Sequence, residues 1–311
     1  METFKIGICE PEDFSLKALD RLSGIGEVSL FDGGDLETFI ADKDAIFIRL
    51  KYAITDELLL NASKLKFICS PTTGLNHIQL SDNQYKILCL KGEYEFLDSI
   101  RATPEHVFGL TLGLLRNYSH AFLNQYNREF NRNPYKGFEL YGNTVGIIGF
   151  GRVGKLIAKY FNAFDSKVMF CDIEKKMSPY AEQINSLDEL IRKSNIVILA
   201  ANYTKENENM ISSEQFSLMR DKYFINAARG ELVDEQELLE FLQKDWFRGV
   251  AIDVIANETQ DSTFLGKLLE LTSSKNLIIT PHIGGATYSS MERTEEFIAE
   301  KLIREYQNGG K

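Results

Sequence analysis

The sequence predicts an α/β protein with two doubly wound parallel sheets, one in each half of the chain. Short apolar β-type runs alternate with helix-like segments over the first hundred residues, and the same alternation begins again at Thr144. Alternating strands and helices are typical of parallel sheets that carry helices on both faces. The length of 311 residues agrees with two domains, and 44% hydrophobic residues are ample for two cores.

The first half of the chain is expected to form the smaller, flavodoxin-like domain. Its helix-like segments are Ser15–Leu22 and Asp56–Leu60. Its β-type runs are Phe4–Ile8, Ala45–Ile48, Lys66–Cys69 and Lys86–Cys89.

Two helical segments are expected to connect the domains. Thr103 is a plausible N-cap and Pro104 a plausible first residue of a helix that runs to about Asn117. A second helical pattern, from Ala286 to Tyr306, follows the last strand of the second half and is expected to return to the first domain. We therefore assign residues 1–103 plus 286–311 to one domain and residues 104–285 to the other.

A strand, a glycine turn and a helix follow one another in residues 143–158, which read NTVGIIGFGRVGKLIA. Gly149 permits a tight turn, Gly151 lets the backbone approach a pyrophosphate, and Gly154 lets the helix pack closely on the strand. The next strand ends at Asp172, 18 residues after Gly154, near the spacing of about 20 expected for a carboxylate that binds the adenosine ribose. The alternative is an ordinary glycine-rich turn. The combined pattern predicts a Rossmann dinucleotide-binding domain, with its cofactor contacts at Gly149, Gly151, Arg152, Val153, Gly154 and Asp172.

The second half contains enough strands for a complete dinucleotide-binding fold. The six predicted strands are Val145–Gly149, Lys167–Cys171, Ile196–Ala200, Tyr223–Asn226, Val250–Asp253 and Leu277–Thr280.

Reactive side chains follow the last three of these strands. Arg229, Asp253, Glu258 and His282 stand at or just after strand ends, where ligands bind in open α/β sheets. Arginine can bind a carboxylate through two hydrogen bonds, and histidine can transfer a proton near neutral pH. A neighbouring glutamate favours the protonated imidazole. This set suits redox chemistry between a carbonyl and an alcohol, with a nicotinamide as the hydride carrier.

The motifs around these residues resemble the D-isomer-specific 2-hydroxyacid dehydrogenase family. Residues 226–234 match its N-x-x-R-G-x-x-V-D pattern, Asp253 and Glu258 match its strand with a glutamate five residues later, and Thr280–Gly284 match its T-P-H-I-G motif. The resemblance implies that Arg229 binds the substrate and is catalytic, and that His282 is the acid/base. It also implies cofactor contacts at Thr103, Ala227 and Asp253, and NAD as the cofactor.

The resemblance extends to a loop of the first domain. Thr73, Gly74 and Leu75 match the loop whose backbone N–H groups hold the substrate carboxylate. Arg49 and Lys51 stand where phosphoglycerate dehydrogenases tend to have paired basic groups, so they are candidate ligands of a substrate phosphate. The alternative for this pair is a surface charge pair.

One segment departs from the family. Residues 200–204 read Ala-Ala-Asn-Tyr-Thr where a His-x-Pro-Leu-Thr segment is usual. The departure concerns the cofactor pocket, not Arg229, Glu258 and His282. The other histidines have less specific interpretations: His77 as a loop residue near the substrate, His106 as structural, and His120 on an exposed helix end.

The predicted function is NAD-dependent hydride transfer between nicotinamide and a small D-2-hydroxy acid or 2-keto acid, with a phosphorylated acid as one option. An NAD(H)-sensing corepressor-like binding protein is the alternative from another class. Phosphite or formate oxidation is a third reading, and Glu258 argues against formate because formate dehydrogenases usually have glutamine there.

Composition bears on the partners and the compartment. With 35 basic and 45 acidic residues, the net charge of −10 disfavours nucleic acid and anionic membranes. The four cysteines are far apart, which is typical of free thiols in a reducing compartment, and no signal peptide or membrane-spanning run is found. No His, Cys and Asp residues have metal-ligand spacing. We expect a cytoplasmic homodimer without a metal site.

Overall fold

The computed structural model describes residues 3–82, 84–124, 130–256, 258 and 263–309. The chain divides into two compact units, Met1–Ile100 with Ala286–Lys311 and Arg101–Gly285. Among the described residues, no helix has both the length and the apolar composition needed to cross a bilayer.

The first unit is built on a five-stranded, fully parallel sheet. Its strand order is β2-β1-β3-β5-β7, and a separate two-stranded parallel ladder joins β4 to β6. Counting only the strands of the large sheet, this order is 2-1-3-4-5, which is the flavodoxin-like order. The sequence indicates four of these five strands and misses β2. The strands of this unit are β1 (Lys5–Ile8), β2 (Glu27–Leu30), β3 (Ala45–Phe47), β4 (Ile54–Thr55), β5 (Phe67–Cys69), β6 (Ile78–Gln79) and β7 (Lys86–Leu88).

Helices cover the first sheet, and the C-terminal helix is one of them. Helix α1 begins after Ser15, whose hydroxyl caps it by accepting the N–H of Ala18 at 3.2 Å. The C-terminal helix α11 contributes Ile298 and Leu302 to the core of this unit. The helices of the first unit are α1 (Leu16–Ser23), α2 (Leu36–Ile40), α3 (Tyr94–Leu97) and α11 (Tyr288–Gly309).

The helix predicted over Asp56–Leu60 is wrong, because this segment is a series of turns. The hydroxyl of Thr55 takes the N–H of Leu58, and Leu60 N–H bonds back only three residues, to Glu57 O. Thr55 caps the segment as an N-cap does, but only Leu59 N–H makes an i to i−4 bond, to Thr55 O, before the bonds shorten to i−3 at Leu60 and Ala62, so no regular α-helix forms.

The second unit contains a seven-stranded, fully parallel sheet in the order β10-β9-β8-β11-β12-β13-β14. Every residue of the central strands β11, β12 and β13 is buried, as expected of a parallel sheet covered on both faces. The strands are β8 (Thr144–Ile148), β9 (Lys167–Cys171), β10 (Glu182–Gln183), β11 (Ile196–Leu199), β12 (Tyr223–Asn226), β13 (Gly249–Ile252) and β14 (Leu277–Ile279). Six of them match the predicted strands within a residue at each end. The two-residue edge strand β10 is additional, and its polar sequence Glu-Gln has no apolar pattern to reveal it.

The helices of the second unit include the helix that opens it, α4. Its N-cap is Arg101, not Thr103, because the Arg101 carbonyl already accepts the N–H of Glu105 at 3.1 Å. Pro104 is the third helical residue, where its missing N–H leaves no helical bond unmade. The helices are α4 (Ala102–Leu115), α5 (Tyr118–Asn124), α6 (Arg152–Asn162), α7 (Leu187–Lys193), α8 (Ser213–Ser217), α9 (Glu235–Gln243) and α10 (Thr263–Leu271), with 3-10 turns at Asn133–Tyr135, Lys205–Asn207 and Gly230–Leu232.

Candidate active site

The glycine turn after β8 has the shape that a bound pyrophosphate requires. Gly149 has a φ of +89°, and a Cβ there would lie 2.5 Å from the Cα of Ala201. A Cβ on Gly154 would lie 2.4 Å from the carbonyl oxygen of Gly149, so the helix can approach the turn only because this residue has no side chain. A Cβ on Gly151 would meet nothing within 4 Å. The open space beside Gly151 is where a ligand can approach the backbone.

The turn lies where the order of strands reverses. Strand β8 pairs with β9 on one side and β11 on the other, and ligands of open α/β sheets bind at such a point. Gly151 is the N-cap of α6 and offers no side chain to cap it. Arg152 and Val153 begin the helix, whose N-terminus faces the turn with its positive dipole end. Phe150, fully buried, stacks on Phe170 with ring centroids 3.6 Å apart and anchors the turn from below.

Asp172, at the end of β9, carries hydrogen bonds on both carboxylate oxygens. It accepts the N–H of Phe150 at 2.7 Å, the N–H of Glu174 at 2.9 Å and the ammonium of Lys176 at 2.8 Å. Burial works to raise the pKa of Asp172, but these three donors outweigh it and hold the pKa below its usual value. Asp172 is therefore an ionised carboxylate that is already paired with Lys176, beside the predicted cofactor site.

The predicted acid/base and its glutamate partner are in direct contact. Nδ1 of His282 lies 2.5 Å from Oε2 of Glu258. Both side chains remain partly accessible, with 25% and 32% of their surfaces exposed. This leaves Nε2 as the ring atom that can act on a substrate oxygen. His282 has a φ of +51°, a left-handed conformation that a non-glycine residue rarely adopts.

Asp253 supports the loop that carries His282. Only 2% of Asp253 is exposed, and its carboxylate accepts the Thr280 hydroxyl at 2.6 Å and the N–H groups of Ile283 and Gly284, both at 2.9 Å. Its backbone carbonyl accepts the N–H of His282 at 2.8 Å. One buried side chain thus holds both flanks of the strained histidine. The sequence assigned Asp253 to the cofactor, and this structural role had no sequence signal.

His106 and Thr103 on α4 adjoin the same loop. Nε2 of His106 lies 3.2 Å from both the Asp253 carboxylate and the Thr280 hydroxyl. Burial works to raise the pKa of Asp253, but hydrogen bonds from His106, Thr280 and the loop lower it. A Cβ on Gly284 would lie 3.6 Å from Cγ2 of Thr103, so this threonine is beside the loop.

Arg229 is presented by a turn that the buried Asn226 builds. The amide of Asn226 donates to the carbonyl of Arg229 and accepts the N–H of Ala228, both at 3.0 Å. Arg229 is partly exposed, and its Nη1 donates to the carbonyl of Ala228 at 2.6 Å. Ala227, also partly exposed, lies within the same turn.

The arginine turn is packed against the segment that leads to Glu258. A Cβ on Gly230 would lie 2.0 Å from the carbonyl carbon of Ile255, so the two backbones touch at this glycine. Glu235, the first residue of α9, accepts the N–H of Ala256 at 2.7 Å. The pKa of Glu235 is raised to about 7, mainly by burial. The negative charges of Glu231 and Asp234 also raise this pKa, while the hydrogen bond from Ala256 lowers it. Sequence reasoning missed Glu235, because one glutamate among many at a helix start carries no distinguishing signal.

The proposed substrate residues of the first unit fall into two groups. Thr73 is exposed and Gly74 and Leu75 are partly exposed, in the loop between β5 and β6. The other group is Arg49 and Lys51, which follow β3 and are held by acidic partners.

Arg49 is paired inside its own unit. Its guanidinium forms an ion pair with Glu295, a fully buried residue of α11, and its N–H donates to Glu10 at 2.8 Å. Lys51 is mostly exposed and lies 3.2 Å from the Glu12 carboxylate. Among the described residues, no group of three His, Cys, Asp or Glu side chains is arranged to hold a metal.

Comparison with known proteins agrees with this geometry. Residues 108–284 match the family model of the D-isomer specific 2-hydroxyacid dehydrogenase, NAD binding domain. The chain is 30% identical to a glyoxylate reductase of Pyrococcus furiosus, over 85% of this chain and 80% of that protein. It is 32% identical to D-3-phosphoglycerate dehydrogenase 2 of Saccharomyces cerevisiae, over 87% of this chain and 59% of that protein.

One solved structure is similar over nearly the whole length of the chain. The D-lactate dehydrogenase of Aquifex aeolicus, in complex with NAD and lactic acid, superimposes with a TM-score of 0.82 at 26% identity, over 98% of this chain and 96% of that one. The fold and these comparisons show an NAD-dependent oxidoreductase. The chain belongs to the D-isomer-specific 2-hydroxyacid dehydrogenase family, and NAD is its cofactor.

Proposed function

We propose that the protein reduces a small, unphosphorylated 2-keto acid of the glyoxylate type to the 2-hydroxy acid with NADH. The observation that carries the proposal is the 2.5 Å contact between His282 and Glu258, next to a loop braced by Asp253. NADH supplies the hydride, which goes to the keto carbon, while the keto oxygen receives a proton.

Each side chain of the site has a separate task in this reaction. His282 donates the proton to the keto oxygen from Nε2, since Nδ1 is engaged by Glu258. Glu258 stabilises the imidazolium that must form before each transfer. Arg229 binds the substrate carboxylate with two parallel hydrogen bonds and polarises the adjacent carbonyl.

The charges around Arg49 favour a monoanionic substrate. A phosphate ligand needs a cation whose charge is available, but the guanidinium of Arg49 is paired with the buried Glu295. A glyoxylate reductase is among the relatives, which supports the same choice. The second candidate is a phosphorylated acid, because Lys51 is exposed and a phosphoglycerate dehydrogenase is also among the relatives.

The test is a panel of 2-keto acids assayed by the loss of NADH absorbance. Glyoxylate, pyruvate, hydroxypyruvate and 3-phosphohydroxypyruvate span the range of size and charge. We expect the highest kcat/KM with one of the unphosphorylated acids. A preference for the phosphorylated acid would establish the second candidate. Tight NADH binding without turnover of any acid would instead favour the NAD(H)-sensing binding protein.

We also propose that the protein acts in the cytoplasm as a homodimer. All four cysteines are free thiols, which suits a reducing compartment. Tyr118, Phe122, Phe138 and Phe164 are exposed aromatic residues of the second unit, and a second copy would remove such surface from water. Sedimentation equilibrium should give twice the chain mass, and Phe122→Asp should shift the equilibrium toward the monomer. A wild-type protein that sediments with the mass of one chain would contradict the dimer.

A further inference from the structure

Three side chains of the first unit form a continuous hydrogen-bond chain that ends at the loop of Gly74. Nε2 of His77 lies 3.1 Å from the Ser70 hydroxyl, which lies 2.8 Å from the Thr72 hydroxyl. The Thr72 hydroxyl donates to the carbonyl oxygen of Gly74 at 2.8 Å. Ser70 is fully buried and His77 is 6% exposed, so the chain is shielded from water over its first part.

The direction of this chain follows from counting protons. A carbonyl can only accept, so the single hydroxyl proton of Thr72 points to Gly74. Ser70 must then donate its own proton to Thr72. With that proton committed, only the ring of His77 can supply the hydrogen of its bond to Ser70. His77 therefore carries a proton on Nε2, and this nitrogen is not available as a base.

From this geometry we propose that Ser70, Thr72 and His77 are positioning residues that orient and polarise the Gly74–Leu75 peptide for binding the substrate carboxylate. The proposal rests on the proposed function and on the family resemblance, which implies that the backbone N–H groups of this loop hold the carboxylate of the 2-keto acid.

The orientation follows from the planarity of the peptide unit. The C=O and N–H of a trans peptide point in opposite directions, so a carbonyl of Gly74 fixed by Thr72 fixes the N–H of Leu75 pointing away from it. In the described part of the chain, neither Gly74 nor Leu75 finds an acceptor for its N–H. These donors are therefore available for an anion.

The polarisation of the Gly74–Leu75 peptide follows from cooperativity among the successive hydrogen bonds. Each hydrogen bond strengthens the next by about 10–30% in condensed phase, and the last one draws electron density toward the Gly74 oxygen. The N–H of the same peptide becomes a stronger donor to a carboxylate.

Backbone hydrogen bonds hold the three residues of this hydrogen-bond relay, Ser70, Thr72 and His77, in place. Ser70 N–H donates to Leu88 at 2.8 Å, and the carbonyls of Thr72 and His77 accept the N–H groups of Leu90 at 3.0 Å and Ile54 at 2.7 Å. The loop can therefore transmit the position of the hydroxyls to the peptide at its tip.

Paired substitutions at Thr72 separate the hydroxyl from the volume of the side chain. Thr72→Val keeps the shape and removes the donor, whereas Thr72→Ser keeps the donor. We expect Thr72→Val to raise the KM for the 2-keto acid about tenfold, which is the worth of one hydrogen bond of about 1.4 kcal/mol. The kcat and the KM for NADH should each change less than about threefold, and Thr72→Ser should restore the substrate KM. Equal kinetics of the Val variant and the wild type would overturn the proposal.

The tautomer of His77 can be read without any substrate. With nitrogen-15 histidine, and with His77→Gln to assign the signals, nitrogen NMR should show a proton bonded to Nε2 of His77. A neutral ring protonated only on Nδ1 would contradict the relay. This measurement decides on the relay even if no 2-keto acid is reduced, in which case the proposed function fails on its own. If catalysis is found, His77→Phe should raise the substrate KM as Thr72→Val does, and His77→Gln, which can still donate, should raise it less.

Discussion

At the scale of single residues, the site depends on two carboxylate pairs with different tasks. Glu258 meets His282 at 2.5 Å at the proposed position of proton transfer, and Asp172 meets Lys176 at 2.8 Å where the adenosine end of NAD is expected. In the proposed mechanism, the first pair stabilises a positive charge that appears during turnover. The second neutralises a charge that would otherwise repel a phosphate.

Removal of the imidazole should affect turnover much more than cofactor binding. His282→Ala is expected to lower kcat about 10²–10⁴-fold, which is the usual contribution of a general acid. The Kd for NADH, measured by fluorescence titration, should stay within about threefold, because we expect the glycine turn and Asp172, not His282, to bind the dinucleotide. A folded variant with wild-type kcat on its best substrate would show that another group supplies the proton.

Retention of charge alone should not preserve the function of Arg229. Arg229→Lys is expected to lower kcat/KM at least about 100-fold, with defects in both constants, because an ammonium cannot form two parallel bonds to a planar carboxylate. Steady-state kinetics on the best 2-keto acid measures this. A loss below about fivefold would assign Arg229 a structural role.

Lys176 should control the discrimination between NADH and NADPH. Without its ammonium, the Asp172 carboxylate is left with two backbone donors and repels a 2′-phosphate more strongly. Lys176→Ala is expected to raise the ratio of kcat/KM for NADH over NADPH about tenfold, whereas Asp172→Ala should lower it. The exposed Lys175 provides the matched control, and Lys175→Ala should leave the ratio within about twofold. A ratio that responds equally to both lysine substitutions would mean that only general surface charge matters.

At the scale of elements, the loop that carries His282 has an unfavourable backbone conformation that depends on hydrogen bonds to Asp253. A φ of +51° costs a non-glycine residue about 1 kcal/mol or more, and the surrounding hydrogen bonds to Asp253 compensate for it. The arginine turn and the glutamate segment are joined in a similar way, through the Gly230 contact and the Glu235 bond to Ala256.

Asp253→Asn should loosen the histidine loop while it preserves the volume of the side chain. The amide keeps only one oxygen, so one of the N–H groups of Ile283 and Gly284 loses its acceptor and faces an NH₂ group instead. We expect kcat to fall more than about tenfold, and amide exchange at Ile283 and Gly284 to become faster. Unchanged exchange at both amides, together with wild-type kcat, would rule out the bracing role.

At the scale of the whole molecule, stability should carry a pH dependence that originates at Glu235. Burial raises the folded-state pKa of Glu235 to about 7 from the ordinary value of 4.5. The folded protein then binds more protons than the unfolded chain between these two values. Stability is therefore highest below about pH 4.5 as far as this group is concerned, and is lost as the pH rises through 7.

Glu235→Gln should remove the decrease in stability that Glu235 causes as the pH rises. The amide oxygen can still accept the Ala256 N–H, but it carries no charge. We compare the free energy of unfolding of the variant with that of the wild type at each pH. The difference should shift in favour of the variant by about 1–3 kcal/mol when the pH rises from 5 to 8. Urea denaturation at the two pH values measures the gain, with the exposed Glu214→Gln as the control. An equal response of both variants to pH would locate the effect elsewhere.

The sequence by itself determined six of the seven strands of the second unit, the glycine turn with the helix after it, and the positions of Arg229, Glu258 and His282 after strand ends. These features are local, because a strand, a tight turn and a helix start each impose their requirements on neighbouring residues. The convergence of side chains at the ends of parallel strands was predictable for the same reason, since the rule of open α/β sheets needs only the strand ends.

The tertiary structure alone decided which side chains meet. The bracing of the His282 loop by Asp253, the partner of Arg49 on α11, the Glu235 contact with Ala256 and the direction of the relay from His77 all depend on residues that approach in space. The turns over Asp56–Leu60 and the polar edge strand β10 show the same limit at the level of elements. Hydrogen bonds depend on distances of a few tenths of an ångström, and periodicity in a sequence carries no information at that scale.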